Sequence, residues 1–315
     1  MDQNEADLLK AIERVDDWRA RKITYRPVTG GITNPNWKVI VDGREFFVKI
    51  PGRGTGSFID RNNAHIAGLI AAEEGIGPRI HCYFDDTGVE VFEWLEGYRT
   101  LNYGDVYDHK IFNKIIQTIK KFHQHKKTTL PITKNPFDQT YEMMRLARKL
   151  GGYLPPEIER MDWLAHQIED SIMTAGIDFV PCHVDHWTAN YMYDDKNQDL
   201  RLVDFEYASM CDIGWDFAGM STTNYFTEAL DVEWIKGYFG GFDETQFARL
   251  KLYKILSDIN WVMWSSVQIT QSSVKDFDYY MWLGTKITRL RQFWQDPRLD
   301  YWLNFVKGVS PFSAK

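Results

Sequence analysis

Residues 183–190 read HVDHWTAN, and residues 200–207 read LRLVDFEY. The two segments are joined by a short apolar run and a polar turn at 194–199. Apolar runs on both sides of a polar turn predict a hairpin of two short strands. The hairpin would carry acidic and amide side chains at the outer ends of both strands, where a rigid scaffold commonly presents a functional site.

The polar residues at these ends are suited to phosphoryl transfer. A carboxylate must orient the attacking hydroxyl and accept its proton, and Asp185 is the candidate base. A carboxamide and a second carboxylate can hold Mg²⁺ on nucleotide phosphates, and Asn190 and Asp204 are the candidate ligands. Taken singly, each residue could instead cap a loop or form a structural ion pair. The complete set at this spacing favours catalysis.

These segments resemble the motifs of the choline/ethanolamine kinase family, a branch of the aminoglycoside phosphotransferase group with a protein-kinase-like fold. HVDHWTAN resembles the family's catalytic loop, and VDFEY at 203–207 resembles its metal motif. GWDF at 214–217 is similar to the segment that supports the loop from behind. The resemblance covers residues 24–290. It implies ATP and Mg²⁺ as cofactors, catalytic roles for Asp185 and His183, and Mg²⁺ binding by Asn190 and Asp204.

The pattern along the chain predicts an α+β fold. A helix is expected over 5–20, and short β-rich runs, one of them turning at Asp42-Gly43, continue to Gly97 with a helical stretch among them. Helical patterns then dominate, except for a β-like island at 180–205. Together with the resemblance, this predicts a bilobed protein-kinase-like fold with a small antiparallel-sheet N-lobe and a larger, mainly helical C-lobe. The predicted domains are residues 1–97 and 98–315.

The resemblance also implies how ATP is held. GGITN at 30–34 resembles the family's phosphate-binding loop, and Lys49 stands on a predicted strand at the position of the lysine that contacts the α- and β-phosphates. Residues 92–97 resemble the hinge between lobes, whose backbone would contact adenine. The implied ATP contacts are Gly31, Thr33, Asn34, Lys49, Glu93, Trp94 and Leu95.

One family position differs in this chain. The glutamate that pairs with the lysine is expected on the helix that follows the strand, and by spacing it falls near Ala64, beside Asn63 and His65. Residues 59–72 contain no glutamate. The sequence therefore leaves open which group holds Lys49.

The aromatic residues predict the acceptor site. The chain has 12 Trp, 16 Tyr and 19 Phe. A quaternary ammonium has no N–H to donate, so it is recognised by ring faces and a nearby carboxylate. Rings that only fill a helical core are the alternative. The stretch WVMWSSVQ at 261–268 resembles the family's cage. The implied acceptor-binding residues are Asp185, Glu206, Tyr207, Trp261, Trp264, Phe277 and Trp282.

A second difference concerns the acid that faces the ammonium. The family's acidic residue aligns with Thr223, so Glu206 and Glu228 are the remaining candidates. The acceptor predicted first is choline, with ethanolamine, thiamine, a sugar or an aminoglycoside as alternatives on the same fold. A non-catalytic ammonium-binding protein on a kinase scaffold is an alternative of another class.

Composition narrows the partners. Lysine and arginine total 37 against 44 aspartate and glutamate, a net charge of −7, which argues against nucleic-acid binding. An uncharged apolar run of about 18 residues does not occur, so no membrane span is expected. Three cysteines without a C-x-x-C pair and an acidic N-terminus without a signal-like segment predict a cytoplasmic protein. The oligomeric state is not predicted.

Overall fold

The computed structural model describes residues 3–28, 34–52, 59–272 and 277–308. Gly31 and Thr33, both predicted to contact ATP, lie outside these residues. The chain divides into two compact units. The first comprises Met1–Ile132 with Thr188–Ala208, and the second comprises Thr133–Trp187 with Ser209–Lys315.

The main sheet of the first unit is antiparallel throughout. The predicted tight turn at Asp42-Gly43 is confirmed: both residues have a positive φ, 48° and 86°, as this kind of two-residue hairpin turn requires. The strands are β1 (Ile23–Val28), β2 (Asn36–Val41), β3 (Arg44–Lys49), β4 (Ile80–Phe84) and β5 (Val89–Glu93), in the order β1-β2-β3-β5-β4.

The N-terminal helix of this unit is shorter than predicted. The helix α1 (Gln3–Arg14) ends before Val15, whose backbone is extended, and Trp18 lies in a separate 3-10 turn. Trp18 packs its ring 5.0 Å from that of Phe46 on β3, so both segments bury their apolar side chains in the sheet's core. The prediction of one helix over 5–20 is therefore wrong at its C-terminal end, because the apolar spacing continues through a turn.

The first unit also contains a second, three-stranded sheet and two further helices. Phe122 on α3 lies 5.5 Å, ring to ring, from Phe205, and Leu202 N–H donates to Ile76 O at 2.6 Å. Residues 98–132 are thus connected to the main sheet through residues 202–205, and all of them lie in the first unit. The predicted domains 1–97 and 98–315 stay a prediction. The elements are α2 (Arg61–Glu73), β6 (Arg99–Thr100), α3 (His109–His123), β8 (Tyr191–Asp194) and β9 (Asp199–Leu202), with sheet order β6-β8-β9.

The second unit is mainly helical. Its one two-stranded sheet among the described residues pairs β7 with β10 in antiparallel fashion. Buried ion pairs join its elements: Lys254 Nζ lies 2.7 Å from Asp231 Oδ2 of another helix, and Arg249 Nη2 lies 2.7 Å from Asp212 Oδ2 at the end of a strand. The elements are α4 (Pro136–Lys149), α5 (Ile158–Ala175), β7 (Phe179–Cys182), β10 (Ser209–Asp212), α6 (Ile213–Thr223), α7 (Glu228–Phe239), α8 (Glu244–Gln271), α9 (Tyr279–Trp294) and α10 (Leu299–Val306).

An antiparallel sheet followed by a mostly helical remainder, with 54% helix, confirms the predicted α+β class. The β-like island at 180–205 is confirmed as β7, β8 and β9. Within the described ranges, no helix combines the length and the apolar character needed to span a bilayer. The prediction of a cytoplasmic location stays a prediction.

Candidate active site

Both predicted metal ligands stand at the same end of the β8–β9 hairpin. Tyr191 lies opposite Leu202 in the register of the two strands. Asn190 directly precedes β8 and Asp204 lies two residues after β9, and Val203 N–H donates to Asn190 O at 2.9 Å. Amide and carboxylate oxygens are ligands that Mg²⁺ accepts, so the two side chains fit this ion by donor chemistry.

The backbone of Asp204 is in the left-handed region, with φ 66°. Val184, which precedes the candidate base, has φ 73°. For a β-branched valine this conformation is a clear outlier, and such strained residues concentrate at functional sites. The strain supports a functional reading of both loops.

Lys49, the last residue of β3, is held by the two acids of the VDFEY motif. Its Nζ lies 2.7 Å from Asp204 Oδ1 and 2.9 Å from Glu206 Oε1. Asn34 Nδ2 donates to the same Glu206 oxygen at 2.5 Å, and Gly52 N–H donates to Asn34 Oδ1 at 2.9 Å. Burial opposes the charge of Lys49, but the two carboxylates outweigh it and raise the pKa of Lys49 above its ordinary value. The charged ammonium is therefore the favoured form of Lys49 at neutral pH.

This network identifies the partner of Lys49 that the sequence left open. Glu206 is 8% exposed and contacts both Lys49 and Asn34, so it holds the lysine that is predicted to bind phosphate. Its assignment to the acceptor site is thereby weakened, because its carboxylate is already engaged. Ala64 on α2 lines the same small recess as Lys49 and Glu206, which fits the predicted position of the missing glutamate.

The polar residues of α2 serve other contacts. Asn63 Nδ2 donates to Ala208 O at 2.7 Å, and Asn63 Oδ1 accepts from Ile132 N–H at 3.0 Å. His65 Nδ1 lies 2.9 Å from Glu90 Oε1. Asn63 thus fastens the residues that follow the VDFEY motif to the helix, a positioning role that the sequence did not reveal.

The residues of the predicted hinge differ in whether their backbone N–H group donates a hydrogen bond within the protein. Glu93 N–H donates to Arg79 O at 2.9 Å, and Trp94 N–H donates to Glu45 O at 3.3 Å. Among the hydrogen bonds between described residues, none uses the Leu95 N–H as donor. Of the three predicted adenine contacts, Leu95 is therefore the one whose amide suits an adenine nitrogen.

The predicted catalytic loop, in the second unit, is held by Asp216 from the GWDF segment. Asp216 accepts hydrogen bonds from His183 N–H at 3.1 Å and Val184 N–H at 2.7 Å. His186 Nε2 lies 2.8 Å from Asp216 Oδ1. These contacts hold the strained Val184, and Asp185 follows it half-buried. The geometry agrees with the predicted supporting role of this segment.

His183 is completely buried. Its burial supports a positioning role, and the implied catalytic role stays a prediction. Gly219 of α6 lies directly behind the loop, where a Cβ atom would come 3.2 Å from His186 Cδ2. Asn224 Nδ2 donates to His186 O at 2.8 Å, so the loop is also held on its far side.

The predicted acceptor rings of the second unit contact one another. Trp261 and Trp264 lie 5.4 Å apart between ring centroids, and Phe277 lies 5.8 Å from Trp282. Tyr279, which follows Phe277 in the aromatic pattern but is not among the predicted acceptor-binding residues, joins the pairs at 5.7 Å from Trp264 and 4.8 Å from Phe277. The outer rings are only partly buried, as a ligand-facing cluster requires.

Both candidate replacements for the family's acidic residue, Glu206 and Glu228, already form ion pairs. Glu228 pairs with Arg298 at 2.9 Å and Lys251 at 3.1 Å, and its bond to Arg298 lowers the pKa of Glu228 to about 2. Thr223 itself is buried at the end of α6. In addition, Tyr207 belongs to the first unit and the other rings to the second, so their predicted meeting stays a prediction, as does that of Asp185 with Asn190 and Asp204.

A sequence profile of choline/ethanolamine kinases matches residues 25–233, which is more than half of the chain. The chain belongs to the choline/ethanolamine kinase family. The predicted family is thereby confirmed, and so is the prediction of a small-molecule kinase. Ethanolamine kinase 1 of Mus musculus is 24% identical over 319 residues, which cover 88% of this chain and 85% of that protein.

Solved structures agree with this membership at the level of the fold. A choline/ethanolamine kinase family protein from Mesorhizobium loti has TM-score 0.83 and 20% identity, covering 97% of this chain and 100% of that chain. Choline kinase LicA from Streptococcus pneumoniae has TM-score 0.71 and 22% identity, covering 91% and 98%. LicA in complex with AMP has TM-score 0.73 and 20% identity, covering 93% and 100%. The predicted protein-kinase-like fold is confirmed.

Proposed function

We propose that the protein transfers the γ-phosphoryl group of ATP to the hydroxyl of a small amino alcohol. The observation that carries the proposal is the Lys49, Asp204 and Glu206 network, in which a buried ammonium and two acids meet beside an amide of the phosphate-binding segment. Family membership supports the reaction class, and the structure of LicA with AMP supports an adenine nucleotide as donor.

The proposed roles follow from side-chain chemistry. Asp185 orients the acceptor hydroxyl and takes its proton, because its carboxylate follows a strained residue that Asp216 fixes. Lys49 holds the α- and β-phosphates, and the Leu95 N–H contacts adenine. Asn190 and Asp204 hold Mg²⁺, which when bound neutralises charge on the transferred phosphoryl group.

The two carboxylates beside Lys49 have different proposed roles. Asp204 is exposed and at the end of the hairpin, so its carboxylate would be available to hold Mg²⁺. Glu206 is buried and anchored by Asn34, so it would keep Lys49 in place while Asp204 holds the ion. The pair thus replaces the helix glutamate. This weakens the non-catalytic alternative, which rested on the missing glutamate.

The acceptor is proposed to bind against the rings of α8 and α9, with choline and ethanolamine as the two candidates. The rings supply the faces that an ammonium group requires. The preference for choline that the sequence suggested is not tested by the comparisons, since ethanolamine kinases and choline kinases both match.

The test is a substrate panel on the purified protein. Thermal shifts are measured with ATP-Mg²⁺ and with each alcohol, separately and together, and a coupled assay then follows ADP release with choline, ethanolamine, thiamine and kanamycin. Alcohol-dependent ADP release with choline or ethanolamine is expected. A protein that is stabilised by ATP-Mg²⁺ yet phosphorylates neither amino alcohol would refute the proposed reaction.

A further inference from the structure

Lys286 places a buried cation on one of the predicted acceptor rings. It stands on α9 one turn after Trp282, and its side chain is fully buried. Its Nζ lies 4.1 Å from the centroid of the Trp282 ring and 5.4 Å from that of Tyr225. Within the described part of the chain, no hydrogen-bond acceptor reaches this ammonium.

The nearest opposite charge is already neutralised. Arg289 forms a fork with Asp258, with Nε 2.6 Å from Oδ2 and Nη2 2.5 Å from Oδ1. Asp258 therefore compensates the charge of Lys286 only in part. Lys286, Arg289 and Asp258 together carry a net charge of plus one. Burial is the main cause that lowers the pKa of Lys286 to about 8, which leaves the ammonium mostly charged at neutral pH.

A ring that already holds a cation is a poor partner for a second one. The side chain of Lys286 fills one face of Trp282, and a cation on the opposite face would lie within about 10 Å of it in a poorly solvated place. The repulsion by Lys286 would weaken the binding of the two candidate acceptors to different extents. A trimethylammonium group depends on ring faces on several sides, whereas a primary ammonium has three N–H groups and can use hydrogen-bond acceptors instead.

Resting on the proposed function, we propose that Lys286 is a specificity-determining residue of the acceptor site. It withholds the Trp282 face from quaternary ammonium groups, so primary amino alcohols such as ethanolamine are phosphorylated in preference to choline. Trp261 and Trp264 remain to contact the substrate, since among the described cation–ring contacts Lys286 lies over Trp282 and Tyr225 and not over either of these rings.

The experiment compares the kcat/KM ratio of ethanolamine to choline in the wild type and in Lys286→Met. Methionine has nearly the same length without the charge, and replacing an unpaired buried ammonium by an apolar group should not unfold the protein. The ratio is expected to exceed one in the wild type and to fall at least about tenfold in the variant, through improved use of choline. Lys286→Arg, which keeps the charge, should keep the ratio. Lys286→Gln repeats the comparison should the methionine variant prove insoluble.

Lys254 provides the matched control. It is also buried, and burial lowers its pKa to about 8, but it pairs with Asp231 and lies over no predicted acceptor ring. Lys254→Met should leave the ratio unchanged. A ratio that stays within twofold in Lys286→Met, or that falls equally in Lys254→Met, overturns the proposal.

A binding measurement separates this inference from the proposed reaction. Tetramethylammonium is titrated against tryptophan fluorescence in the absence of ATP. Binding at least about tenfold tighter in Lys286→Met than in the wild type supports the role of Lys286 even if no alcohol is phosphorylated, in which case only the proposed reaction fails. Equal affinity, or no binding by either form, rejects the role of Lys286 whatever the turnover.

Discussion

Lys49 and Glu206 form an ion pair at 2.9 Å between Nζ and Oε1, and in the proposed site this contact replaces the glutamate that the family pattern predicts on α2. Glu206 lies two residues after the proposed metal ligand Asp204, so one short segment carries both a proposed metal ligand and the carboxylate that holds Lys49. The position of Lys49 is thus tied to the hairpin that carries Asn190, rather than to the helix.

Glu206→Gln tests this arrangement. The glutamine amide keeps the shape of the side chain, and its oxygen can still accept a hydrogen bond from Asn34 Nδ2. The substitution removes the negative charge that would remain beside Lys49 if Asp204 held Mg²⁺. We expect the KM for ATP to rise about tenfold and kcat to fall at least as much, since a charge-assisted contact contributes about 1.5–3 kcal/mol. Steady-state kinetics with varied ATP give both values.

Glu90→Gln is the control for that variant. Glu90 is buried to the same degree and lines the same recess, but its carboxylate contacts His65 rather than Lys49 among the bonds described. The KM for ATP should therefore change less than in Glu206→Gln. Equal effects would mean that the recess needs negative charge in general, and the specific pairing would then be wrong.

Asp185→Asn removes the proposed base. A general base contributes about 10² to 10⁴ in rate, so kcat should fall in that range while the KM for ATP stays within about threefold. Asp185 is half-buried on a loop, and we expect the free energy of unfolding to change by less than about 1 kcal/mol. Stopped assays and urea unfolding measure both. Retained turnover would show that another group takes the proton.

Asp216→Asn tests whether Asp216 holds the loop that carries Asp185 in its folded conformation. Asp216 is fully buried and accepts from His183 N–H and Val184 N–H, while His186 lies against it. An amide cannot accept at both oxygen positions, so a buried N–H loses its partner. We expect a loss of at least about 2 kcal/mol in stability together with loss of activity. Unchanged stability would contradict the supporting role of the GWDF segment.

The sequence predicted what depends on local pattern. The β8–β9 hairpin, the Asp42-Gly43 turn and the ring cluster of α8 and α9 all follow from spacing of apolar, turn or aromatic residues along the chain. The motif residues Asn190 and Asp204 reach the same end of the hairpin because strand pairing places them there. These features need no knowledge of distant contacts.

What the sequence could not predict depends on contacts between distant segments. Glu206 was read as a ligand of the acceptor ammonium, and only the folded first unit shows that it meets Lys49. No sequence pattern singles out Lys286, yet the packing of α9 buries it completely. No motif predicts the contact of Glu206 with Lys49 or the burial of Lys286, because both are properties of the packed structure.

Trp264→Ala tests the ring cluster as an acceptor site. Each ring face contributes about 0.5–2 kcal/mol to the binding of a cation, so the KM for the amino alcohol should rise roughly tenfold while the KM for ATP does not change. Trp163→Ala, which removes an exposed ring on α5, is the control and should change neither. Equal rises for alcohol and ATP would indicate a structural role for Trp264.

Lys286→Met is also predicted to stabilise the protein in a pH-dependent way. Burial lowers the pKa of Lys286 from its ordinary 10.5 to about 8, so in the folded state the charged form is disfavoured. Below pH 8 both the folded and the unfolded chain carry the proton, and the whole cost of burying the charge is present. Between pH 8 and 10.5 the folded chain has released the proton and the unfolded chain has not, so the stability of the wild type rises with pH.

The methionine variant lacks this titration, and its advantage should therefore be greatest at low pH. We expect it to be more stable than the wild type by on the order of 2 to 3 kcal/mol at pH 6.5, with the difference shrinking steadily as the pH approaches 10. Urea unfolding of both proteins at pH 6.5, 8 and 9.5 measures the difference, in which the titrations of all other groups cancel. A difference that does not depend on pH, or a wild type that is the more stable at pH 6.5, would mean that the ammonium has a partner that compensates its burial.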